Sequence, residues 1–234
     1  MTTHNVLIAL PALRAALTHA ADADVRYYLN GILLELPAGR MVATDGHRLL
    51  VCAGPTIDTA ALGDVPARVI LPRDLVERAL KAYTGIYKRG GKLGDVEVPV
   101  TITASAAGKP PTITINLPDN GSVTGPAIDG QFPDWRRVLP KWDQLGDATL
   151  SQCNPAYVLA AHDAIACYRN RAKLTDKNLS ICYQRGNGPS VFCDAESGIV
   201  VIVMPLRMPD PLQPARDACG WAHADTVTAD TAAA

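Results

Sequence analysis

The sequence lacks the patterns that mark several common classes of protein. Its 234 residues contain no run of about 18 apolar residues, so a membrane-spanning helix is excluded. The six cysteines form no CxxC pair, and no cysteine–histidine cluster has zinc spacing, so we expect reduced thiols in a cytoplasmic protein. The first residues carry no basic leader and no cleavage site, and they do not predict a signal peptide.

Charge and catalytic motifs are also sparse. The net charge is −1, whereas proteins that hold DNA by bulk charge are strongly basic, so any DNA contact requires a segregated basic face. The motifs GxxxxGK[ST], HExxH, GxSxG and GxGxxG are absent. The close acid–histidine pairs, Asp45/His47 and His162/Asp163, have no accompanying nucleophile or second acid. We therefore expect no enzyme activity, catalytic residue, cofactor or metal.

What is present is an order of elements that repeats along the chain. The first copy has an apolar strand at Asn5–Leu10, a helix opened by Pro11, and strands Val25–Leu36 and Met41–Val51 joined by the turn Pro37–Arg40. The second copy begins with the strand Arg68–Leu71 and a helix from Arg73 to about Tyr83, followed by the basic loop Tyr87–Asp95. Three strands complete it: Val98–Ala104, Thr112–Leu117 and Ser122–Ile128.

A third copy begins near Ala148–Ser151, continues through a helix from Pro155 to about Tyr168, and ends in three strands: Leu179–Gln184, Ser190–Asp194 and Ile199–Met204. The prediction is an α+β fold of three β-α-β-β-β units, giving one complete domain plus a half-domain. We place a full domain at residues 1–130, a linker and partial domain at 131–208, and a poorly ordered tail at 209–234.

Four segments resemble one known family, in the same order. Val25–Val51, VRYYLNGILLELPAGRMVATDGHRLLV, closely resembles the middle domain of the bacterial replicative sliding clamp, the β subunit of DNA polymerase III. Phe132–Pro140 (FPDWRRVLP) resembles its linker into the last domain, Asn154–Leu159 (NPAYVL) the opening of the last helix, and Val201–Met208 (VIVMPLRM) the C-terminal strand. The resemblance covers roughly residues 5–208 and implies a shortened DNA-clamp (processivity) fold with the middle domain and part of the last.

The resemblance also implies a pocket for short peptides of partner proteins that carry glutamine and aliphatic or aromatic residues. Its walls fall on Leu29, Thr44, Gly46, His47, Arg48, Leu49, Pro133, Arg137, Val138, Asn154, Tyr157, Val203, Met204, Pro205, Leu206 and Arg207. Structural roles remain open for single members, since Val203–Leu206 fits a core strand and Asp45-Gly46 fits an ordinary turn. Arg136 and Arg137 also fit solvated or ion-paired positions.

By the same resemblance, the helices are expected to present basic residues to DNA phosphates without reading bases. The candidates are Arg14, Arg78, Lys81, Lys88, Arg89, Arg169, Arg171 and Lys173. Each also fits a solvated helix face or loop.

Two functions remain open at this point. The first is a processivity clamp: a homo-oligomer around double-stranded DNA, without sequence specificity, that tethers a DNA polymerase and is placed by a clamp loader. The second is a module that keeps the peptide pocket, forms no ring, and competes for clamp-binding partners. A nuclease or transferase is not supported, because acidic clusters are absent.

Overall fold

The computed structural model describes residues 2–87, 96–106, 108–139, 145–146, 153–172, 180–184, 188–194 and 197–206. The expected basic loop beyond residue 87 and the expected tail from residue 209 lie outside these ranges.

The first unit contains β1 (Thr3–Ala9), α1 (Leu10–His19), β2 (Gly31–Glu35), β3 (Arg40–Thr44) and β4 (Arg48–Ala53). Proline near the start of α1 fits its missing N–H, which has no helical partner at that position. The helix buries Leu13 and Ala16 and leaves Leu17 half-buried, whereas Arg14 and Thr18 are exposed on its other face.

The sequence-based strands Val25–Leu36 and Met41–Val51 are wrong as single strands. Residues 27–29 form a 3₁₀ turn, and the Asn30 side chain ties this loop by hydrogen bonds with the backbone of Asp24. The second segment is split by a turn. The Asp45 carboxylate closes this turn by accepting hydrogen bonds from the backbone N–H groups of His47 and Arg48.

The second unit contains β5 (Arg68–Pro72), α2 (Arg73–Tyr87), β6 (Glu97–Thr103), β7 (Thr112–Asn116) and β8 (Ser122–Pro126). The strands agree with the sequence prediction to within two residues at each end. Helix α2 continues one turn beyond the expected end at Tyr83, whose hydroxyl donates a hydrogen bond to the Asn116 carbonyl at the end of β7.

The third unit contains β9 (Leu145–Gly146), α3 (Pro155–Ala172), β10 (Ser180–Gln184), β11 (Ser190–Asp194) and β12 (Ile199–Val203). The α+β architecture with repeated β-α-β-β-β units is therefore confirmed, although α3 ends four residues later than expected.

The strands form two antiparallel sheets, and each sheet contains strands from more than one unit. One sheet has the order β1-β6-β7-β8, and the other has the order β5-β2-β3-β4-β12-β11-β10-β9. The first strand of each of the first two units therefore pairs with strands of the other unit. The last strands of the first and third units, β4 and β12, join directly and make the larger sheet continuous.

Side chains that alternate along the larger sheet serve two separate cores. Leu50 and Val203 point toward a core shared with α1, α2 and α3. Leu49 and Ile202 point to the other face, where they pack with Trp135 of the segment that follows the second unit. Within the described residues, this second face is covered by two 3₁₀ turns and the linker rather than by an α-helix.

Within the described ranges, no helix is long and apolar enough to span a membrane.

Candidate binding groove

A groove of about 220 Å³ opens on the face of the larger sheet opposite the α-helices. Four chain segments meet there: the loop before β2, the β3–β4 turn, the end of β12, and the linker after β8. The lining residues are Arg26, Leu29, Thr44, Gly46, Arg48, Leu49, Pro133, Asp134, Trp135, Val138, Ile202 and Met204.

The turn from Thr44 to Arg48 gives the groove one rigid wall. The Asp45 Oδ1 atom accepts hydrogen bonds from the backbone N–H groups of His47 and Arg48, at 2.9 and 3.0 Å. Its Oδ2 atom accepts a third from Arg48 Nε at 2.9 Å. The Thr44 hydroxyl accepts from the Gly46 N–H and donates to the Arg48 carbonyl. The turn is thus held by its own side chains before any ligand arrives.

Arg26 fastens this turn to the loop before β2. Its guanidinium lies 2.7 Å from the Asp24 carboxylate and donates a hydrogen bond to the Asp45 carbonyl at 3.2 Å. The hydrogen bonds from Arg26 lower the pKa of Asp24 to about 2. Gly46 has φ +91°, and a Cβ there would lie 2.8 Å from an Arg26 nitrogen. The backbone conformation therefore favours glycine, and any side chain here would also displace the Arg26 guanidinium from its place above the turn.

The floor of the groove is apolar because two neighbouring strands present large side chains to it. Leu49 on β4 is paired with Ile202 on β12, and both side chains are almost fully buried. Met204 follows β12, donates its backbone N–H to the His47 carbonyl at 2.9 Å, and keeps 41% of its surface exposed at the rim. A thioether side chain at this position can adapt to ligand side chains of different shape.

The linker forms the opposite wall. Trp135 is buried, and its indole N–H donates to the buried Glu35 carboxylate at 3.4 Å. Arg136 stacks on the Trp135 ring at 4.2 Å and donates to both oxygens of Glu35, at 3.1 and 2.8 Å. Burial raises the pKa of Glu35, but the hydrogen bonds from Arg136 and Trp135 outweigh it, so the pKa lies below its usual value.

A polar and aromatic cluster borders the groove on the side of α3. The Arg48 guanidinium carbon lies 5.0 Å from the centre of the Tyr157 ring, and the His47 ring is stacked on Tyr157 at 6.1 Å. Asn154 begins α3 by accepting a hydrogen bond from the Ala156 N–H at 3.0 Å. Arg48 therefore connects the groove to Tyr157, and these residues form a polar rim.

The structure brings half of the sequence-predicted pocket residues into the groove lining. These are Leu29, Thr44, Gly46, Arg48, Leu49, Pro133, Val138 and Met204. His47 and Tyr157 lie outside the lining but border it through Arg48. Asn154, Pro205 and Leu206 are not part of the lining, and Arg207 lies outside the described residues. Arg137 is exposed, and its side chain is not part of the lining.

The placement of Val203 corrects the sequence prediction. Its side chain is fully buried in the core that faces the helices, so it cannot line the groove. The neighbouring Ile202 takes that place, because successive residues of a strand point to opposite faces. Side chains alternate between the two faces of a strand, so Ile202 is expected on the same face as Met204, two residues later. This alternation was the sequence signal for Ile202 as a lining residue. Arg26, Asp134 and Trp135 were also missed, although Asp134 and Trp135 belong to the motif FPDWRRVLP.

The predicted DNA-contacting residues are placed only in part. Arg14 is exposed on α1 and borders a cleft between α1 and α3 that also contains Asp163. On α2, Arg78 and Lys81 are exposed, and Arg78 forms an ion pair with Asp74 at 3.2 Å. Arg169 and Arg171 fall within α3, but their side chains lie outside the described part of the chain, as do Lys88, Arg89 and Lys173.

No protein-family profile matches the sequence. The β sliding clamp of Pseudomonas aeruginosa is 36% identical over 123 residues, and that of Escherichia coli strain K12 is 39% identical over 124 residues. Each alignment covers 52% of this chain but only 29% and 28% of the respective clamp. The chain thus spans less than a third of the length of these curated relatives.

Solved sliding clamps share the fold. A Pseudomonas aeruginosa DNA polymerase sliding clamp superimposes with a TM-score of 0.59 at 22% identity, over 87% of this chain and 67% of that one. The Caulobacter crescentus pol III β structure gives 0.59 at 18% identity, over 88% and 67%. The chain is thus similar in sequence to bacterial β sliding clamps over about half of its length, and it shares the fold of the solved clamps.

Proposed function

We propose that this chain is a clamp-type processivity factor of DNA replication, a binding protein rather than an enzyme. Its groove holds a short peptide segment of a partner, in the first place a DNA polymerase. The observation that carries the proposal is the apolar groove at the meeting point of the β3–β4 turn, β12 and the linker. The sequence similarity to sliding clamps supports the replicative role.

The chemistry of the groove suits a peptide with bulky apolar side chains. Leu29, Leu49 and Ile202 form an almost fully buried apolar floor, while Val138 and Met204 keep apolar surface exposed in the lining. Aliphatic or aromatic side chains of a peptide would remove that exposed surface from water. The volume of 220 Å³ lies below the range of about 300–1,000 Å³ typical of drug-sized ligands, so it fits one or two side chains rather than a folded domain. The Thr44 hydroxyl and the Arg48 guanidinium at the rim offer polar contacts to the peptide backbone or to a glutamine.

A titration with matched variants tests the groove. A synthetic peptide containing glutamine, leucine and phenylalanine is titrated calorimetrically into the full chain and into Met204→Asp. Affinity is expected to fall at least about tenfold, because a carboxylate at the rim must be desolvated against apolar ligand side chains. Leu159→Asp is the control, since Leu159 is an exposed apolar residue of α3 outside the groove. Equal affinity for all three proteins would reject the groove as the peptide site.

The replicative part of the proposal comprises association with double-stranded DNA, assembly into a homo-oligomer and stimulation of a polymerase. It is tested by primer extension with a partner polymerase on long templates. The proposal predicts longer products in the presence of the chain and loss of this effect for Met204→Asp. Product lengths unchanged by the wild-type chain would contradict it.

One observation favours the competing function, a module that occupies partners without encircling DNA. The charges of α2 nearly balance, since Arg73 and Arg78 are ion-paired with Glu77 and Asp74 and only Lys81 adds an exposed positive charge without such a pair among the described residues. The two functions separate in a DNA-binding measurement at low and moderate salt. A clamp associates with DNA in a salt-dependent manner, whereas the competing module binds the peptide without associating with DNA.

A further inference from the structure

Three arginines surround one buried carboxylate beside the Trp135 wall of the groove. Glu35 on β2 lies opposite Arg40 on β3 and opposite Arg68 on β5. Arg136 of the linker forms an ion pair with the same carboxylate at 2.8 Å. All three arginines are exposed, whereas Glu35 is buried. Arg40, Arg68 and Arg136 together form the arginine patch.

The patch carries more positive charge than the buried carboxylate neutralises. Arg136 already donates to both carboxylate oxygens, at 3.1 and 2.8 Å. Arg68 lies 3.5 Å from one of these oxygens, and Arg40 forms no ion pair among the described residues. Asp134 and Arg137 on the same linker add one charge of each sign, so the positive excess remains. This excess stands out in a chain whose net charge is −1.

We propose that the arginine patch binds an acidic segment of the same partner whose apolar side chains occupy the groove, an inference that rests on the proposed function. Charge complementarity favours carboxylates, because guanidinium groups bind carboxylate oxygens through paired hydrogen bonds. Continuity with the groove identifies their source. Trp135 lines the groove, and the guanidinium carbons of Arg136 and Arg40 lie 4.2 and 6.0 Å from the centre of its ring. The groove and the patch therefore share one wall.

Strand β3 sets the distance between the apolar and the acidic parts of the partner. Thr44 lines the groove and Arg40 belongs to the patch, and the two residues share a face of the strand because they are four positions apart. Their Cα atoms are separated by about 14 Å, from a rise of about 3.4 Å per residue. An extended peptide crosses this distance with about four residues. The acidic residues are therefore expected about four positions beyond the apolar anchor.

Two peptides that differ only in charge test this assignment. Each contains the glutamine, leucine and phenylalanine anchor with a six-residue extension, whose last three residues are glutamate in one peptide and glutamine in the other. Extensions at either end of the anchor are compared by calorimetric titration into the full chain at low salt. For one end, the glutamate peptide is expected to bind at least about fivefold more tightly, because several individually weak ion pairs form together. High salt is expected to abolish this gain, since the patch is exposed.

A matched pair of variants assigns the gain to the patch. The readout is the ratio of the two dissociation constants for each protein, so that a general effect on the groove cancels. Arg40→Gln is expected to lower this ratio at least about twofold, and it breaks no ion pair with Glu35. Lys109→Gln is expected to keep the ratio, because this exposed lysine lies between β6 and β7 on the other sheet. Circular dichroism confirms the fold of both variants.

The outcomes separate the patch from the groove. Equal affinity of the wild type for both peptides at both ends, or an unchanged ratio in Arg40→Gln, would overturn the proposal and leave the groove as a peptide site. Absence of binding by every peptide would reject the groove and this inference with it. A single-stranded oligonucleotide whose binding depends on Arg40, without any gain for the glutamate peptide, would assign the patch to nucleic acid and likewise overturn the proposal.

Discussion

At the scale of single residues, the groove depends on a turn whose shape is set by Asp45 and Gly46. The Asp45 carboxylate binds two backbone N–H groups and the Arg48 side chain, so one acidic residue fixes both the path of the chain and the position of a rim cation. Gly46 lets the chain turn beneath the Arg26 guanidinium. These residues shape the wall of the groove without being apolar themselves.

Gly46→Ala tests this role. At φ +91° a side chain is strained, and its Cβ would also meet the Arg26 guanidinium at 2.8 Å. We expect a loss of about 2–3 kcal/mol in the free energy of unfolding by denaturant, together with weaker peptide binding. Gly108→Ala is the matched control, because Gly108 has φ +81° but nothing within 4 Å of the added Cβ. An equal loss for both variants, with peptide affinity intact, would show that the contact with Arg26 is unimportant.

His19 makes the stability of the chain sensitive to acid. It lies at the end of α1, fully buried, and its Nε2 atom has no hydrogen-bond partner among the described residues. Burial lowers its pKa from 6.5 to about 4. In the unfolded chain His19 is protonated below about pH 6.5, whereas in the folded chain it stays neutral down to about pH 4. The free energy of unfolding therefore falls as the pH falls through this interval.

The full loss attributable to His19 is about 3 kcal/mol, at about 1.4 kcal/mol for each unit of pKa difference. Urea unfolding at a series of pH values measures it, with His19→Asn as the variant expected to flatten the slope. Glu35, whose pKa is lowered, loses its contribution only as the pH falls below about 4.5, so the interval from 6.5 to 4.5 isolates the histidine. A slope that persists in His19→Asn would contradict this assignment.

At the scale of elements, the linker is a structural wall rather than a passive connection. Phe132 and Trp135 are buried on the sheet, and Arg136 is held on Glu35 by two hydrogen bonds. These contacts place Pro133 and Val138 at the groove. The position of the linker therefore determines the width of the site.

Substituting the adjacent residues Arg136 and Arg137 one at a time distinguishes this role of the linker from a general effect of removing positive charge. Arg136→Ala leaves the buried Glu35 carboxylate without its main partner, and we expect a loss of about 1–2 kcal/mol in unfolding free energy, since the arginine itself is half exposed. Weaker peptide binding should accompany it. Arg137→Ala removes an exposed arginine outside the groove lining and is expected to change stability by less than about 0.5 kcal/mol. Comparable effects of the two substitutions would contradict the anchoring of the linker by Glu35.

The elements could be predicted where local pattern determines them. The β-rich composition of three segments located β6, β7 and β8, and the apolar residues on one face of α2 identified the side chains that it buries. The break between β3 and β4 was missed because Asp45 ends the strand by side-chain hydrogen bonds inside an apolar stretch. The loop before β2 was missed for a similar reason, since Asn30 and Asp24 close it through hydrogen bonds that no periodicity records.

The site could be predicted only in part, because it is assembled from segments distant in the chain. The family resemblance supplied the segments, and their apolar members Leu29, Leu49 and Met204 do line the groove. Val203 was wrongly assigned to the pocket because the family resemblance identifies a segment of chain, whereas strand register decides which face of the sheet each side chain points to. Arg26 escaped notice because its role comes from a tertiary contact with the turn, 19 residues away.

At the scale of the whole molecule, the third unit completes the groove by extending a sheet of the first. The pairing of β4 with β12 brings Ile202 and Met204 next to the β3–β4 turn. The larger sheet therefore crosses the proposed boundary between residues 130 and 131, and the division into a full and a partial domain remains a prediction. The groove exists only when the first and third units are packed together.

The central claim is that a partner peptide binds in this composite groove, and photo-cross-linking locates the bound peptide most directly. A peptide containing glutamine, phenylalanine and a diazirine analogue of leucine is irradiated with the full chain, and the adducts are mapped by mass spectrometry. The account predicts adducts at 26–29, 44–49, 133–138 and 202–204, suppressed by excess unmodified peptide. Competable adducts confined to the α-helices, with none on these four segments, would contradict it.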